Sequence, residues 1–111
     1  MGGRPVTELL DDVELALTDL TQSGFSTGGP AAAQRLGPLA RRCEDRGLHT
    51  GSSLLAELER ALTARSHQEQ KDDLPLAEAV CRAEWYIQLC REKLQEEQII
   101  QRWQDMKEES R

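Results

Sequence analysis

The sequence predicts an all-α fold, a four-helix, mainly antiparallel bundle with a long protruding C-terminal helix, and three observations carry that prediction. Aromatic residues are only 4% of the chain and β-branched residues are sparse, so a core has to be built from Leu, Ala, Val and Ile, which suits helix packing better than a sheet sandwich. Apolar residues recur at spacings of three and four in several separate stretches, the period of a helix with one buried face. No Gly or Pro interrupts the chain between Leu76 and Arg111, and at about 1.5 Å per residue that stretch reaches on the order of 50 Å, twice the span of the first helix.

A chain of 111 residues supports one modest hydrophobic core. The expected organisation is a bundle over residues 1–94 and a helical extension over residues 95–111. The first helix is capped by Thr7 and buries Leu9, Leu10, Val13, Ala16, Leu17 and Leu20, with Asp11, Asp12, Glu14 and Asp19 on the opposite face. It closes near Ser23 and Gly24. Gly24 to Pro30, GFSTGGP, reads as a loop rich in helix breakers, whose lone Phe25 tucks back onto the core. Its twin glycines are not followed by Gly-Lys-Ser/Thr and no strand precedes them, so they form no phosphate cradle.

The second helix runs from about Pro30, suited to a first helical position, to Arg46, with Leu36, Leu39, Ala40 and Cys43 as its stripe. Pro38 removes the bond to the carbonyl of Gln34, so a kink or short break is expected, and the continuing stripe favours one kinked helix over two. Gly47 followed by Leu48 marks a glycine-closed end whose next residue packs backward. A third helix starts near Thr50 to Ser53 and buries Leu54, Leu55, Leu58, Ala61 and Leu62. The polar run Arg65 to Asp73 is a flexible connection or a frayed helix end.

The last helix opens at Asp72 or Asp73, with Pro75 in its first turn. Leu76, Val80, Ala83, Ile87, Cys90 and Leu94 follow alternating spacings of four and three, the seam of a helix lying against antiparallel neighbours. After a polar interval, Gln95 to Gln98, a second apolar cluster follows, Ile99, Ile100, Trp103 and Met106, out of register with the first by about one residue. If the helix stays straight these four project into water, and covering each is worth roughly 1.5 to 3 kcal/mol. A protein partner or a second copy is the simplest cover, and Trp and Met suit contact surfaces. The alternatives are that the chain turns at Gln95 to Gln98 and folds the cluster back, or that the end frays. Trp85 and Tyr86 flank the seam, as the edge of the core or as a second contact, and the wet polar tips of both rings favour the edge.

Charge and composition exclude several functions. A formal net charge of -6 argues against a broad basic surface for nucleic acid. Arg35, Arg41, Arg42 and Arg46 are the one group able to touch a phosphate backbone, as in a small accessory subunit of a nucleic-acid-associated complex. The plainer reading is that they complement the acidic first helix, and no aromatic interleaves them as single-strand binding would want. His49 and His67 stand far from each other and from Cys43, Cys81 and Cys90, so no metal-ligand spacing, nucleophilic triad or cofactor motif is legible and the chain reads as a non-enzyme with no cofactor. Paired acids such as Asp11 with Asp12 or Glu96 with Glu97 point apart on a helix. The three cysteines read as reduced core thiols. No apolar run of about 20 residues spans a bilayer and Met1 to Leu10 lacks the order of a signal peptide, so the expected location is cytoplasmic.

The stretches DDVELALTDLTQSGF and RLGPLARRCEDRGLHTGSSLLAELERAL, within Asp11 to Ala64, give an acidic helix, a loop, a basic helix ending in Arg-Gly-Leu and a Leu-rich helix. In that order they resemble the helical region that accompanies SWIM zinc fingers in some bacterial proteins. The SWIM pattern itself, a CxC and a later CxH, is absent here, so no zinc ligand or nucleic-acid residue carries over. The resemblance implies a bacterial accessory helical module, standing alone or within a multiprotein system.

Overall fold

The computed structural model describes residues 4–68 and 72–109. Four helices account for nearly all of them: α1 (Arg4–Ser23), α2 (Phe25–Asp45), α3 (His49–Ser66) and α4 (Leu74–Glu109), and no strand occurs among the described residues. Each helix packs against the next, and α4 closes the ring on α1. Side-chain pairs give the directions. Asp19 meets Arg35 and Asp12 meets Arg42, so seven residues back along α1 match seven forward along α2. Between α3 and α4, Arg65 meets Asp73 and Glu57 meets Arg82, again with opposed numbering. The bundle is therefore antiparallel around the ring.

The core is where the helical spacing places it. Leu9, Leu10, Val13, Ala16, Leu17 and Leu20 of α1, Leu36, Leu39, Ala40 and Cys43 of α2, and Leu55, Leu58 and Leu62 of α3 are buried. From α4 come Leu76, Ala79, Val80, Ala83 and Ile87, while Cys90 and Leu94 pack half-buried against its end. Every buried residue of the core is apolar, and among the described residues no buried side-chain polar atom lacks a hydrogen-bond partner. Leu54 is only half-buried, at the flank of the α3 stripe.

The largest departure from the sequence reading lies between α1 and α2. GFSTGGP is not a loop: α1 starts at Arg4, so Thr7 lies inside it rather than capping it, and α2 starts at Phe25, so Pro30 is an interior residue. A single residue, Gly24, joins the helices. Its φ of 82° and ψ of 158° are open essentially only to glycine. Its N–H donates to the Leu20 carbonyl, closing α1, and its own carbonyl accepts from Gly28, opening α2. Phe25 sits half-buried against the core as expected, and Gly29 is buried. That tertiary packing outweighs the poor helix propensity of Gly, Ser and Thr. α2 continues through Pro38 as one helix, without the break that was allowed for there.

The α2–α3 turn matches expectation. Gly47 has φ 79°, its N–H donates to the Glu44 carbonyl at 3.1 Å, and Leu48 N–H donates to the Cys43 carbonyl at 2.8 Å. This is the doubly bonded glycine closure of a helix, with Leu48 packed back onto the core. At the other end of α3, residues 69–71 of the expected polar connection lie outside the described residues. Asp72 accepts from Leu74 N–H, and the Asp73 carbonyl accepts the first bond of α4 from Ala77. Pro75 thus falls in the first turn, where a missing N–H costs nothing.

α3 has no side-chain cap, because Leu48 precedes it. Instead the Tyr86 ring of α4 packs over Gly51 in the first turn of α3, where helix N–H groups have no intrahelical partner. The ring lies so close that a β-carbon on Gly51 would stand 2.8 Å from Tyr86 Cε2. Burial, and then the neighbouring Cys90, push the Tyr86 hydroxyl up to about 12.

Candidate interaction surface

α4 is an unbroken helix of 36 residues, about 54 Å at the usual rise, in a molecule 69 Å long and about 20 Å across. Its neighbours run out before it does. Among the described residues Arg91 is the last side chain of α4 paired with the bundle, donating to Asp11 at 2.8 Å and also bonding Glu14 on α1. Leu94 is the last partly covered residue, and every residue from Gln95 to Glu109 is exposed. The helix therefore neither turns nor folds back at Gln95 to Gln98. Ile99, Ile100, Trp103 and Met106 stand 63%, 54%, 58% and 62% exposed, beyond the cover of α1 to α3. Lys107 Nζ lies 4.7 Å from the Trp103 ring centroid, one helical turn on, and Gln101 donates to Asp105 at 3.2 Å. Both are i, i+4 contacts that help a solvated helix hold its shape.

The shift between the two apolar stripes is larger than expected. At 100° per residue the second cluster is centred roughly 170° around the helix from the Leu76–Leu94 seam, on the face directed away from the bundle. Trp85 shares that outer face. It is 68% exposed, so the core-edge reading is overturned for Trp85, while half-buried Tyr86 bears it out. Leu89 is 43% exposed on the same side. Eighteen residues, five turns of helix, separate Trp85 from Trp103, and that spacing was the signal in the sequence that the seam pattern hid. α4 thus carries two apolar faces, an inner one over its first half and an outer one that continues past the end of the bundle.

The arginine group is placed differently. Arg35 Nη1 donates to Asp19 and Arg42 Nη1 to Asp12, each at 2.8 Å and each pair about half exposed. Arg41 is exposed on α2 and Arg46 just past its end. Of the α1 acids, Asp11 and Glu14 turn instead to Arg91 on α4, so the acidic face of α1 serves both neighbours. Exposed pairs of this kind contribute at most about 1 kcal/mol each. His49 Nδ1 lies 2.9 Å from Glu44.

The cysteines split. Cys43 is buried, Cys90 half-buried and Cys81 exposed, and all three are free thiols, so the core reading fails for Cys81, which points outward on α4. Burial, and then the neighbouring Cys90, push the Cys43 thiol above its ordinary value. Among the described residues no group of His, Cys, Asp and Glu is arranged to hold a metal ion, and no helix is long and apolar enough to cross a membrane.

No curated protein and no solved structure matches this sequence. A family model does: that of the YehQ four-helical bundle domain matches residues 7–97, from the second turn of α1 to just past Leu94, two residues short of Ile99. With the match covering most of the chain and four antiparallel helices closed into one ring, this protein belongs to the YehQ four-helical bundle domain family.

Proposed function

We propose that the chain is a non-catalytic protein–protein interaction or assembly module of the bacterial cytoplasm, which makes its contact through the end of α4. The observation that carries this reading is the exposure of Ile99, Ile100, Trp103 and Met106 on a stretch of α4 that no other described helix covers. A free helical overhang of this length is marginal in water. Four large apolar side chains on it represent an unused driving force of roughly 1.5 to 3 kcal/mol each, and a partner surface is where that force is used. The bundle supplies rigidity: Arg91 ties the base of the overhang to α1, so the contact surface projects in a fixed direction. The resemblance of residues 11–64 to the helices beside SWIM zinc fingers fits an accessory module of a multiprotein system.

The test is the double variant Ile100→Ser with Trp103→Ser, examined by light scattering and circular dichroism. Helix content and melting of the bundle remain as in the wild type, because neither residue touches the core, while the mass of the native particle falls to that of a monomer. An unchanged mass together with unchanged capture of partners contradicts the reading.

A further inference from the structure

We infer that the occupant of the outer face of α4 is a second copy of this chain, its α4 lying antiparallel across the first with the two-fold axis at Ile99 and Ile100. This inference rests on the proposed contact through the end of α4 and deepens it by naming the partner and its direction.

The reason is the order of charge along that face. Glu92 and Glu96 precede the apolar cluster and are exposed on its side of the helix, with Lys93 at their margin. Arg102 and Lys107 follow it, also exposed, Arg102 at the edge of the face and Lys107 held over the Trp103 ring. Asp105 and Glu108 project from the opposite side at 100° per residue, and Glu109 stands beside Arg102 at the edge of the face. The face therefore reads acidic, apolar, basic. Such a face complements itself when turned end for end: Glu92 and Glu96 of one copy come opposite Lys107 and Arg102 of the other, twice by symmetry, with the isoleucines at the centre. A parallel pair would instead set Glu92 beside Glu92 and Glu96 beside Glu96 at close range. Charge order of this kind is what sets orientation in paired helices, and a two-fold contact needs such a self-complementary patch.

Space and area agree. The outer face is turned away from α1 and α3, so a partner helix laid along Leu89 to Glu109 meets neither. Ile99, Ile100, Trp103 and Met106, each more than half exposed, offer on the order of 500 Å² of side chain per copy, and two copies reach the roughly 1,000 Å² that a specific interface needs. Leu89 lies at the rim of the overlap and Trp85 beyond it.

Two charge-reversed variants test the direction by sedimentation equilibrium and light scattering. One carries Glu92→Lys and Glu96→Lys, the other Arg102→Glu and Lys107→Glu. In an antiparallel pair each variant alone sets like charges against each other, so each dissociates at least tenfold more readily than the wild type. An equimolar mixture of the two restores attraction at both ends and recovers the dimer. If each variant alone associates as the wild type does while Ile100→Ser with Trp103→Ser still abolishes association, the apolar contact stands and the antiparallel arrangement is overturned. If the wild type is monomeric at every concentration, the second copy is overturned as occupant, and the contact surface is then judged on the native particle alone.

Discussion

Gly51→Ala separates two opposed effects whose balance follows from the position of one ring. Alanine is a better helix former than glycine by up to about 1 kcal/mol, so in the first turn of α3 the substitution on its own is favourable. Tyr86 reverses the sign. The new methyl group would lie 2.8 Å from Cε2 and 3.4 Å from Cζ of that ring, well inside van der Waals contact, and the ring has to move. Moving it disturbs the packing of the ring on the first turn of α3 and opens the small apolar groove that Leu48, Leu54, Leu55 and Ile87 form around it. Overpacking of this kind costs about 1 to 3 kcal/mol, so Gly51→Ala alone lowers stability, by about 1 kcal/mol after the propensity gain is set against it. In a Tyr86→Ala background the obstacle is gone and the same substitution raises stability. The assay is a double-mutant cycle by urea denaturation followed at 222 nm, and the expected coupling is at least about 1 kcal/mol with a change of sign. Equal effects of Gly51→Ala in both backgrounds would refute the proposed contact between α3 and α4.

The other predictions concern the core, the tyrosine and the thiols. Leu58 is fully buried, so Leu58→Ala leaves a cavity in the core and lowers the unfolding free energy by about 2 to 5 kcal/mol, measurable as a lower urea midpoint at unchanged slope. Tyr86 keeps its proton in the fold to about 12 against an ordinary value of 10.0. The stability its protonated hydroxyl contributes is therefore complete below pH 10 and is lost as pH rises from there toward 12. Tyr86→Phe lacks this hydroxyl, so its melting temperature falls less than that of the wild type across the same alkaline interval. Alkylation with a maleimide followed by mass spectrometry proceeds at Cys81 first, at half-buried Cys90 later, and at Cys43 last, because Cys43 is buried and its thiol is raised above its ordinary value.

Much of the fold was legible because apolar spacing and glycine placement agree at most positions. The α1 stripe, the closure at Gly47 and the inner seam of α4 follow directly from residue order, and each is a local rule with one dominant cause. The α1–α2 junction was not legible, because the breakers in GFSTGGP carry the ordinary signal of a loop. Their helical state depends on Phe25 and Gly29 meeting a neighbouring helix, which no local pattern records. For the candidate surface, the exposed cluster at Ile99 to Met106 could be read from length alone: the helix outruns its neighbours. Its direction could not, because a seam at spacings of three and four draws attention to one face only. Trp85 was read as the margin of that seam, although its spacing from Trp103 already placed both on a single outer face. The tie from Arg91 to Asp11 and Glu14 was equally hidden, since those acids had nearer candidates among the arginines of α2.

Hydrogen exchange over Gln95 to Glu109 in the native particle is the most direct measurement of the central claim, that the end of α4 is a contact surface. An overhang with no neighbour exchanges its backbone amides freely, since nothing but its own helix protects them. If the end of α4 is covered, these amides are protected in the wild-type particle and lose that protection in Ile100→Ser with Trp103→Ser, while Leu55 to Leu62 in the core stay unchanged. Equal and rapid exchange of residues 95–109 in both proteins would contradict it.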